Sequence, residues 1–520
     1  MVAFAGTELP DSVRDALGSA AYAGVTLFRH WNVESVGQLR ALTGALQAAA
    51  PANTRPLLIA ADQEGGQLNA LGVGTALADG MTAFAGAMAL GAAADEDLCE
   101  RVAAATAREL RSVGVNVNYA PVCDLATNPH NPALGIRCFG DDPHEVGRLA
   151  AATVRGLQGE GVAATVKHFP GLGDAAVDTH HDLAVVNAGC EQLQRRELVP
   201  FRAAIAAGAR LAMAGHLAVP ALTGSDDQPA SLSSQALRGV LRSELGFSGL
   251  TITDALDMAG VSAGAGIIDP ISAALAAGED LLLGTPVVPL LDRELAANGD
   301  AAPITRLAAL RRWLAGFDQP DLGAVGCAEH RALADELARR SLTLVRDDSR
   351  LLPLRLAEEQ RVLVIQPQPT DLTPADTTST VAATLAEAIR RRHTATDGVV
   401  SSVEPDATEI AALRVRAAAA DLVVLGTDAA HLRPAQAELA RALLSLGRPL
   451  MTVALRTPWD LAAYPESATH VCSFGILPPT IEALAAALFG EADFEGRLPV
   501  VLAGLYPRGH GLHLRQPVSG

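Results

Sequence analysis

The chain has 520 residues, of which 49% are hydrophobic and 19% are charged, and its Gly and Pro residues are dispersed. This composition excludes a largely disordered protein, and the length favours two domains over one. The formal net charge of -18 disfavours binding to nucleic acid or to an anionic membrane surface, because it repels phosphate groups. A neutral or small substrate fits better.

The six cysteines are scattered without a metal-binding spacing, so we expect free thiols in a reducing compartment. The first residues lack the pattern of a signal peptide, and no apolar run reaches the length of a membrane span. The sequence therefore predicts a cytoplasmic protein without membrane insertion, or a secreted protein if a signal sequence has been lost upstream. A monomer is expected. No cofactor or metal is implied.

Short apolar runs recur through the first 285 residues, and longer amphipathic stretches such as 35–49, 95–113 and 143–160 separate them. Strands that alternate with helices pair in parallel, and eight such units predict an α/β fold with an N-terminal (β/α)8 TIM-type barrel. The eight predicted strands are Val2–Ala5, Gly24–Phe28, Leu57–Ala61, Val115–Ala120, Ala163–Val166, Leu211–Ala214, Leu250–Thr253 and Asp280–Leu283.

A second series of buried strands follows a break at Asp318–Gly323 and a predicted helix at Glu329–Arg340. This pattern predicts a C-terminal α/β sandwich domain, with the barrel over residues 1–325 and the second domain over residues 326–520. Its predicted strands are Leu342–Val345, Arg361–Ile365, Asp421–Gly426, Met451–Leu455 and His470–Phe474.

Polar residues stand where several barrel strands end. These residues are Asp62, Lys167, His168, His216 and Asp254. The carboxyl ends of the strands form the face of a barrel that carries its active site. A single polar residue is also expected wherever a strand ends at the solvent-exposed surface. Five such residues on one face indicate a functional site.

The segment 167–182 holds one lysine, three carboxylates and three histidines, and its Pro and Gly residues force it out of regular structure. In an extended loop, residues i and i+2 lie on the same side, so Asp178 and His180 are predicted to be neighbours. A carboxylate beside an imidazole favours the protonated ring, which makes a general acid near neutral pH. A metal site is the alternative, but the spacing of these histidines matches no known ligand pattern.

This segment resembles the K-H-F-P-G-H-G-D-x-x-x-D-S-H signature of family 3 glycoside hydrolases of the β-N-acetylglucosaminidase branch. Further segments resemble the family in the same order over nearly the whole chain. They are Asp62–Gly66 (D-x-E-G-G), Asn131–Gly140 (N-P-x-x-x-x-R-S-F-G), Leu245–Met258 (G-F-x-G and the strand after it), Ala454–Pro458 and Gly496–Val500. The resemblance implies the two-domain type of this family.

The resemblance also implies the roles of individual residues. Asp254 would be the nucleophile, and His180, oriented by Asp178, would serve as acid and base, in place of the second carboxylate of the usual retaining scheme. The positions expected to bind the sugar are Asp62, Arg137, Lys167 and His168. Asp174 receives a supporting role, and His216 and Asp124 are expected to be structural or to support the site residues.

The chain departs from the family pattern at Gln67, Ala70, Leu172 and Cys138, which predicts altered affinity or leaving-group preference. The predicted function is a retaining, exo-acting β-N-acetylglucosaminidase that trims cell-wall fragments in peptidoglycan recycling. Three alternatives stay open. They are a β-glucosidase or β-xylosidase of the same family, a phosphorylase, and a sugar-binding protein without catalysis.

Overall fold

A computed structural model describes residues 1–19, 22–71, 80–262, 268–284, 301–373 and 376–514. Within these ranges seven parallel strands form one sheet, and their order in space is their order along the chain. They are β1 (Gly24–Thr26), β2 (Leu58–Ala61), β3 (Val117–Asn118), β4 (Ala163–Phe169), β5 (Leu211–Ala214), β6 (Leu250–Ala255) and β7 (Leu281–Leu283). The apolar runs predicted these strands correctly because parallel strands are buried on both faces.

The first predicted strand, Val2–Ala5, is reduced to a single β-bridge. Val2 pairs with Val25 of β1, and the backbone nitrogen of Met1 lies 2.7 Å from the carbonyl oxygen of Leu282 in β7. This short segment therefore lies between the two edge strands and brings the sheet close to a closed barrel. The predicted barrel fold is confirmed, with a shorter first strand than the apolar run indicates.

Some of the helices between the strands begin where a capping side chain satisfies a free backbone N–H group. Ser35 and Gln38 form a capping box, and Asp95 accepts a hydrogen bond from the N–H of Leu98. The helices of this half are Asp11–Gly18, Arg29–Asn32, Val36–Ala49, Ala87–Ala93, Glu96–Ser112, Pro143–Gly159, Cys190–Arg195, Leu198–Ala206, Pro220–Thr223, the π-helix Gln235–Glu244, Ala259–Ser262, Ile268–Ala277 and Ala302–Leu314.

A six-stranded sheet follows, in the order β8–β13–β12–β11–β9–β10. Its strands are β8 (Thr343–Asp347), β9 (Val362–Pro367), β10 (Thr396–Ser401), β11 (Leu422–Thr427), β12 (Leu450–Ala454) and β13 (Thr469–Cys472). Only β8 runs antiparallel to its neighbour among these described strands. Its helices are Ala328–Ser341, Leu385–Arg390, Ala407–Ala418, Pro434–Leu444, Asp460–Ala463 and Pro478–Leu488. The apolar runs of the sequence predict five of these strands but not β10.

Loops after the strands of both sheets contact one another. Thr377 donates two hydrogen bonds, from its backbone N–H and its hydroxyl, to the carbonyl oxygen of Gln67. His431 contacts the carbonyl oxygen of Pro129 at 2.8 Å. The division into residues 1–325 and 326–520 stays a prediction. No helix within the described ranges is long and apolar enough to cross a membrane.

Candidate active site

Asp254 lies near the carboxyl end of β6, where its partly buried side chain accepts a hydrogen bond from the N–H of Ala255 at 2.8 Å. Burial alone would raise the pKa of this carboxyl. The imidazoles of His168, His216 and His180 and the Ala255 N–H together outweigh burial and lower the pKa below its ordinary value. Asp254 is therefore a carboxylate at neutral pH, as nucleophilic attack requires.

His180 and Asp178 form the predicted pair, but their loop turns at Asp178 instead of running extended, since the carbonyl oxygen of Asp178 accepts the backbone N–H groups of His181 and Asp182. The ring Nδ1 of His180 lies 2.7 Å from Asp178 Oδ1, and the same oxygen accepts the backbone N–H of His180. Burial alone would lower the pKa of His180, but the hydrogen bond and charge of Asp178, together with the charge of Asp254, raise it above its ordinary value. Because Asp178 holds Nδ1, Nε2 is the ring nitrogen left to exchange a proton with a substrate.

His216 is fully buried and links two strand ends. Its Nε2 lies 3.0 Å from the carbonyl oxygen of Ala255, and its Nδ1 lies 2.8 Å from the hydroxyl of Ser231. Burial lowers the pKa of His216, although the charge of Asp254 opposes this effect. A neutral ring that donates from Nε2 and accepts at Nδ1 satisfies both contacts. This arrangement agrees with a supporting role next to Asp254.

Lys167, in β4, connects the carboxylates that follow β2. Its Nζ lies 2.6 Å from Asp62 Oδ1 and 2.6 Å from Glu64 Oε1. Arg137 lies at the end of the 3-10 helix Gly135–Arg137. Its Nε and Nη2 each donate to one carboxylate oxygen of Glu64 at 2.9 Å, which makes a bidentate ion pair. Asp62 is the most exposed of these four side chains, at 25%. Its second oxygen is therefore well placed to accept a ligand hydroxyl.

His168 is held by Asp124, which follows β3. Asp124 Oδ2 lies 2.6 Å from His168 Nδ1, and the carboxylate also accepts the backbone N–H groups of His168 and Leu172. His168 Nε2 lies 3.4 Å from a guanidinium nitrogen of Arg137. These contacts place a proton on Nδ1, which faces the Asp124 carboxylate. Asp124 therefore positions His168.

The structure brings all seven predicted site residues to the carboxyl face of the barrel. Asp62 contacts Lys167, and Arg137 contacts His168, while Glu64 forms ion pairs with both Lys167 and Arg137 and so connects them. Asp254 acts on the His180–Asp178 pair through its charge. Asp174 lies apart from them, in a cluster with Thr127 and Arg196. Among the described residues, no group of three or more His, Cys, Asp and Glu side chains could hold a metal ion.

Glu64 forms ion pairs with Arg137 and Lys167, but no role was predicted for it from the sequence. It lies within the Asp62–Gly66 segment, so the resemblance contained the signal. Its side chain is only 5% exposed. Burial alone would raise the pKa of the Glu64 carboxyl, but Arg137 and Lys167 lower it to about 2.

Residues 4–297, more than half of the chain, match the glycosyl hydrolase family 3 N-terminal domain. The chain belongs to glycosyl hydrolase family 3. It is therefore a glycoside hydrolase by family, and the resemblance inferred from its sequence segments is confirmed.

Relatives within family 3 cover most of the chain. It is 30% identical to "Beta-hexosaminidase A" of Pseudoalteromonas piscicida over 95% of this chain and 92% of that one. It is 38% identical to "Beta-hexosaminidase" of Stenotrophomonas maltophilia strain K279a over 54% of this chain and 82% of that one. The solved structure of a family 3 β-N-acetylglucosaminidase from Paenibacillus sp. str. FPU-7 is 33% identical, with a TM-score of 0.88 over 96% of this chain and 97% of that one.

The residues that depart from the family 3 pattern lie around the ion pairs of Lys167, Arg137 and Glu64 and leave these ion pairs intact. Gln67 anchors Thr377 through its carbonyl oxygen, and its side-chain Oε1 is buried without a hydrogen-bond partner among the described residues. Ala70, Leu172 and Cys138 are buried apolar neighbours. Leu172 still donates its N–H to Asp124. Each departure changes a side chain beside the site while the ion pairs of Lys167 and Arg137 stay intact.

Proposed function

We propose that this family 3 enzyme is a retaining, exo-acting β-N-acetylglucosaminidase. The observation that carries the proposal is the contact between His180 and Asp178, in which Asp178 and the charge of the ionised Asp254 raise the pKa of the imidazole above its ordinary value. The names of the similar β-hexosaminidases and of the β-N-acetylglucosaminidase structure support the substrate class. A pair made of one acid and one nucleophile is what double displacement at a sugar requires.

In the first step, Asp254 attacks the anomeric carbon and a glycosyl-aspartate ester forms while the bond to the leaving oxygen breaks. His180 gives its Nε2 proton to that oxygen, so the leaving group departs as a neutral alcohol. Asp178 stabilises the protonated ring beforehand and keeps Nε2 turned to the site. In the second step, His180 takes a proton from water, the water oxygen bonds to the anomeric carbon, and Asp254 is released as a carboxylate.

The sugar is held by Asp62, Arg137, Lys167 and His168 in this proposal. Hydrogen bonds to the hydroxyls of the sugar, strengthened in the transition state, supply several kcal/mol of barrier lowering in glycosidases. The two cations and the two acceptors are buried or half-buried, where such contacts count for more than they do in water. Binding at this network would place the anomeric carbon between Asp254 and His180.

The test is release of 4-nitrophenol from its β-N-acetylglucosaminide, compared with release from the β-glucoside. Preference for the N-acetylglucosaminide supports the proposal, and preference for the glucoside would assign the chain to the β-glucosidase reaction instead. Binding of N-acetylglucosamine without turnover of any aryl glycoside would indicate a sugar-binding protein.

A phosphorylase is the second candidate, because His180 loses its charge on giving up its proton and does not repel phosphate from the glycosyl-enzyme as a carboxylate would. The same assay with added inorganic phosphate distinguishes the two reactions. Sugar 1-phosphate as the product would overturn hydrolysis, and free sugar with an unchanged rate supports it.

We further propose cell-wall fragments as the natural substrate, in peptidoglycan recycling by a cytoplasmic monomer. The net charge of -18 supports a small carbohydrate over nucleic acid as the partner. Release of N-acetylglucosamine from purified muropeptides, followed by mass spectrometry, tests this step. Activity on chitin fragments but not on muropeptides would contradict it.

A further inference from the structure

Lys167 is the only lysine in the chain. Lysine and arginine together number 40, so the other 39 basic residues are arginines. The single exception is a side chain that is 2% exposed and lies in β4 among the site residues. A chain that uses arginine everywhere else has a lysine where a compact ammonium is needed, because a planar guanidinium is larger and has a fixed donor geometry.

Glu64 is the residue that holds this ammonium and the guanidinium of Arg137 at the same time. Its Oε1 accepts from Lys167 Nζ at 2.6 Å and from Arg137 Nη2 at 2.9 Å, and its Oε2 accepts from Arg137 Nε at 2.9 Å. One carboxylate therefore fixes both cations that are expected to bind the sugar.

The remaining contacts leave few donors free on these two cations. Lys167 has three N–H groups, of which Asp62 and Glu64 use two. Arg137 has five, of which two bond to Glu64, one to the carbonyl oxygen of Ala133 and one faces His168. Among the contacts of the described residues, each cation is left with one N–H group. The orientation that Glu64 gives to each cation therefore decides whether this N–H group can donate to a sugar hydroxyl.

We propose that Glu64 is a positioning residue that orients the single lysine and Arg137 so that each presents one N–H donor to the sugar. This inference rests on the proposed function of the same site. Glu64 need not touch the substrate, because its carboxylate oxygens are already occupied by the two cations. Its effect on the reaction passes through Lys167 and Arg137.

The charges around Lys167 support this arrangement. Burial and the charge of Arg137 lower the pKa of the Lys167 ammonium, whereas Asp62 and Glu64 raise it, and the balance lies above the ordinary value. Removing the charge of Glu64 leaves one carboxylate to offset burial and Arg137. The pKa of Lys167 should then fall, because an ammonium beside one carboxylate is stabilised less than an ammonium beside two.

The experiment compares Glu64→Gln and Glu64→Asp with Glu109→Gln. Glutamine keeps the size of the side chain and removes its charge, and aspartate keeps the charge but is one methylene too short to hold both cations. Glu109 is an equally buried glutamate that holds Thr82, Gly326 and His330 instead. It therefore controls for the loss of a buried carboxylate elsewhere in the chain.

Two readouts are taken on full-length protein whose folding is checked by thermal unfolding. The first is the affinity for N-acetylglucosamine by calorimetry, with KM and kcat on the aryl glycoside. The second is the pH titration of Lys167 by NMR after labelling with isotopic lysine, which gives one side-chain signal because the chain has one lysine. We expect both Glu64 variants to bind the sugar roughly tenfold or more weakly, and Glu64→Gln to lower the pH at which Lys167 titrates.

Unchanged affinity together with an unchanged Lys167 titration in folded Glu64→Gln would overturn the proposal, as would the same changes in Glu109→Gln. Failure of the proposed function is distinguishable. If the wild-type protein neither binds N-acetylglucosamine nor cleaves its aryl glycoside, but the Lys167 titration still falls in Glu64→Gln alone, the ion pair of Glu64 with Lys167 stands and the substrate assignment fails.

Discussion

Replacing Asp178 with asparagine tests the acid and base role of His180. The bond between His180 Nδ1 and Asp178 Oδ1 is 2.7 Å long, and hydrogen bonds to a charged group contribute about 1.5–3 kcal/mol. Since about 1.4 kcal/mol corresponds to a factor of ten in rate, kcat/KM for a poor leaving group should fall about 10- to 100-fold at neutral pH.

The pH profile gives the sign of the effect. The charge of Asp178 raises the pKa of His180, so its removal must lower that pKa. Cleavage needs protonated His180, and the alkaline limb of kcat/KM should therefore move to lower pH in Asp178→Asn. The acidic limb, which follows the ionisation of Asp254, should move much less.

Leaving groups of different acidity complete the assay. A nitrophenolate departs with little help from an acid, whereas an alkyl alcohol needs a proton, so the loss in Asp178→Asn should grow as the leaving group becomes more basic. Asp182→Asn, an exposed change in the same loop, should leave the rates unchanged. An equal loss for all leaving groups with an unmoved alkaline limb would refute the role of this pair.

Three further predictions concern other residues. Asp254→Asn should lower kcat by roughly 1,000-fold or more with the fold intact, while Asp257→Asn, an exposed change three residues later, should retain activity in the same 4-nitrophenol assay. Asp280 is buried between Arg242 and Arg306, so Asp280→Ala should destabilise the protein by about 3–5 kcal/mol in chemical denaturation. The pKa of Glu64 is about 2 in the folded protein, against an ordinary value of 4.5. Its ion pairs therefore stabilise the fold above about pH 4.5, and this contribution is lost as the pH falls towards 2. Acid unfolding followed by circular dichroism should show a smaller loss over this range in Glu64→Gln than in the wild type.

The barrel and most of the second sheet were predictable because buried parallel strands consist of apolar runs. The missed strand β10 is an edge strand, and its Val400 is 52% exposed. An edge strand with an exposed face lacks the continuous apolar run that reveals a buried one. The prediction of the first strand was wrong in the opposite direction. Val2–Ala5 is an apolar run, but it forms only one β-bridge.

The His180–Asp178 contact was predictable because two residues at i and i+2 meet through local backbone geometry alone. One partner of Glu64, Arg137, lies 73 positions away along the chain, and the other is Lys167. The sequence around Glu64 does not indicate which cations pair with it, because the fold of the barrel brings these distant residues together. The contact between Gln67 and Thr377 depends on the packing of the two sheets and could not be predicted from the sequence either.

The most direct test of the account is to trap the glycosyl-enzyme with a fluorinated N-acetylglucosaminyl fluoride and to map the adduct by peptide mass spectrometry. The account predicts one added sugar on the peptide that contains Asp254, and no adduct in Asp254→Asn. Turnover without any adduct on the protein, or an adduct on another carboxylate such as Asp62, would contradict it.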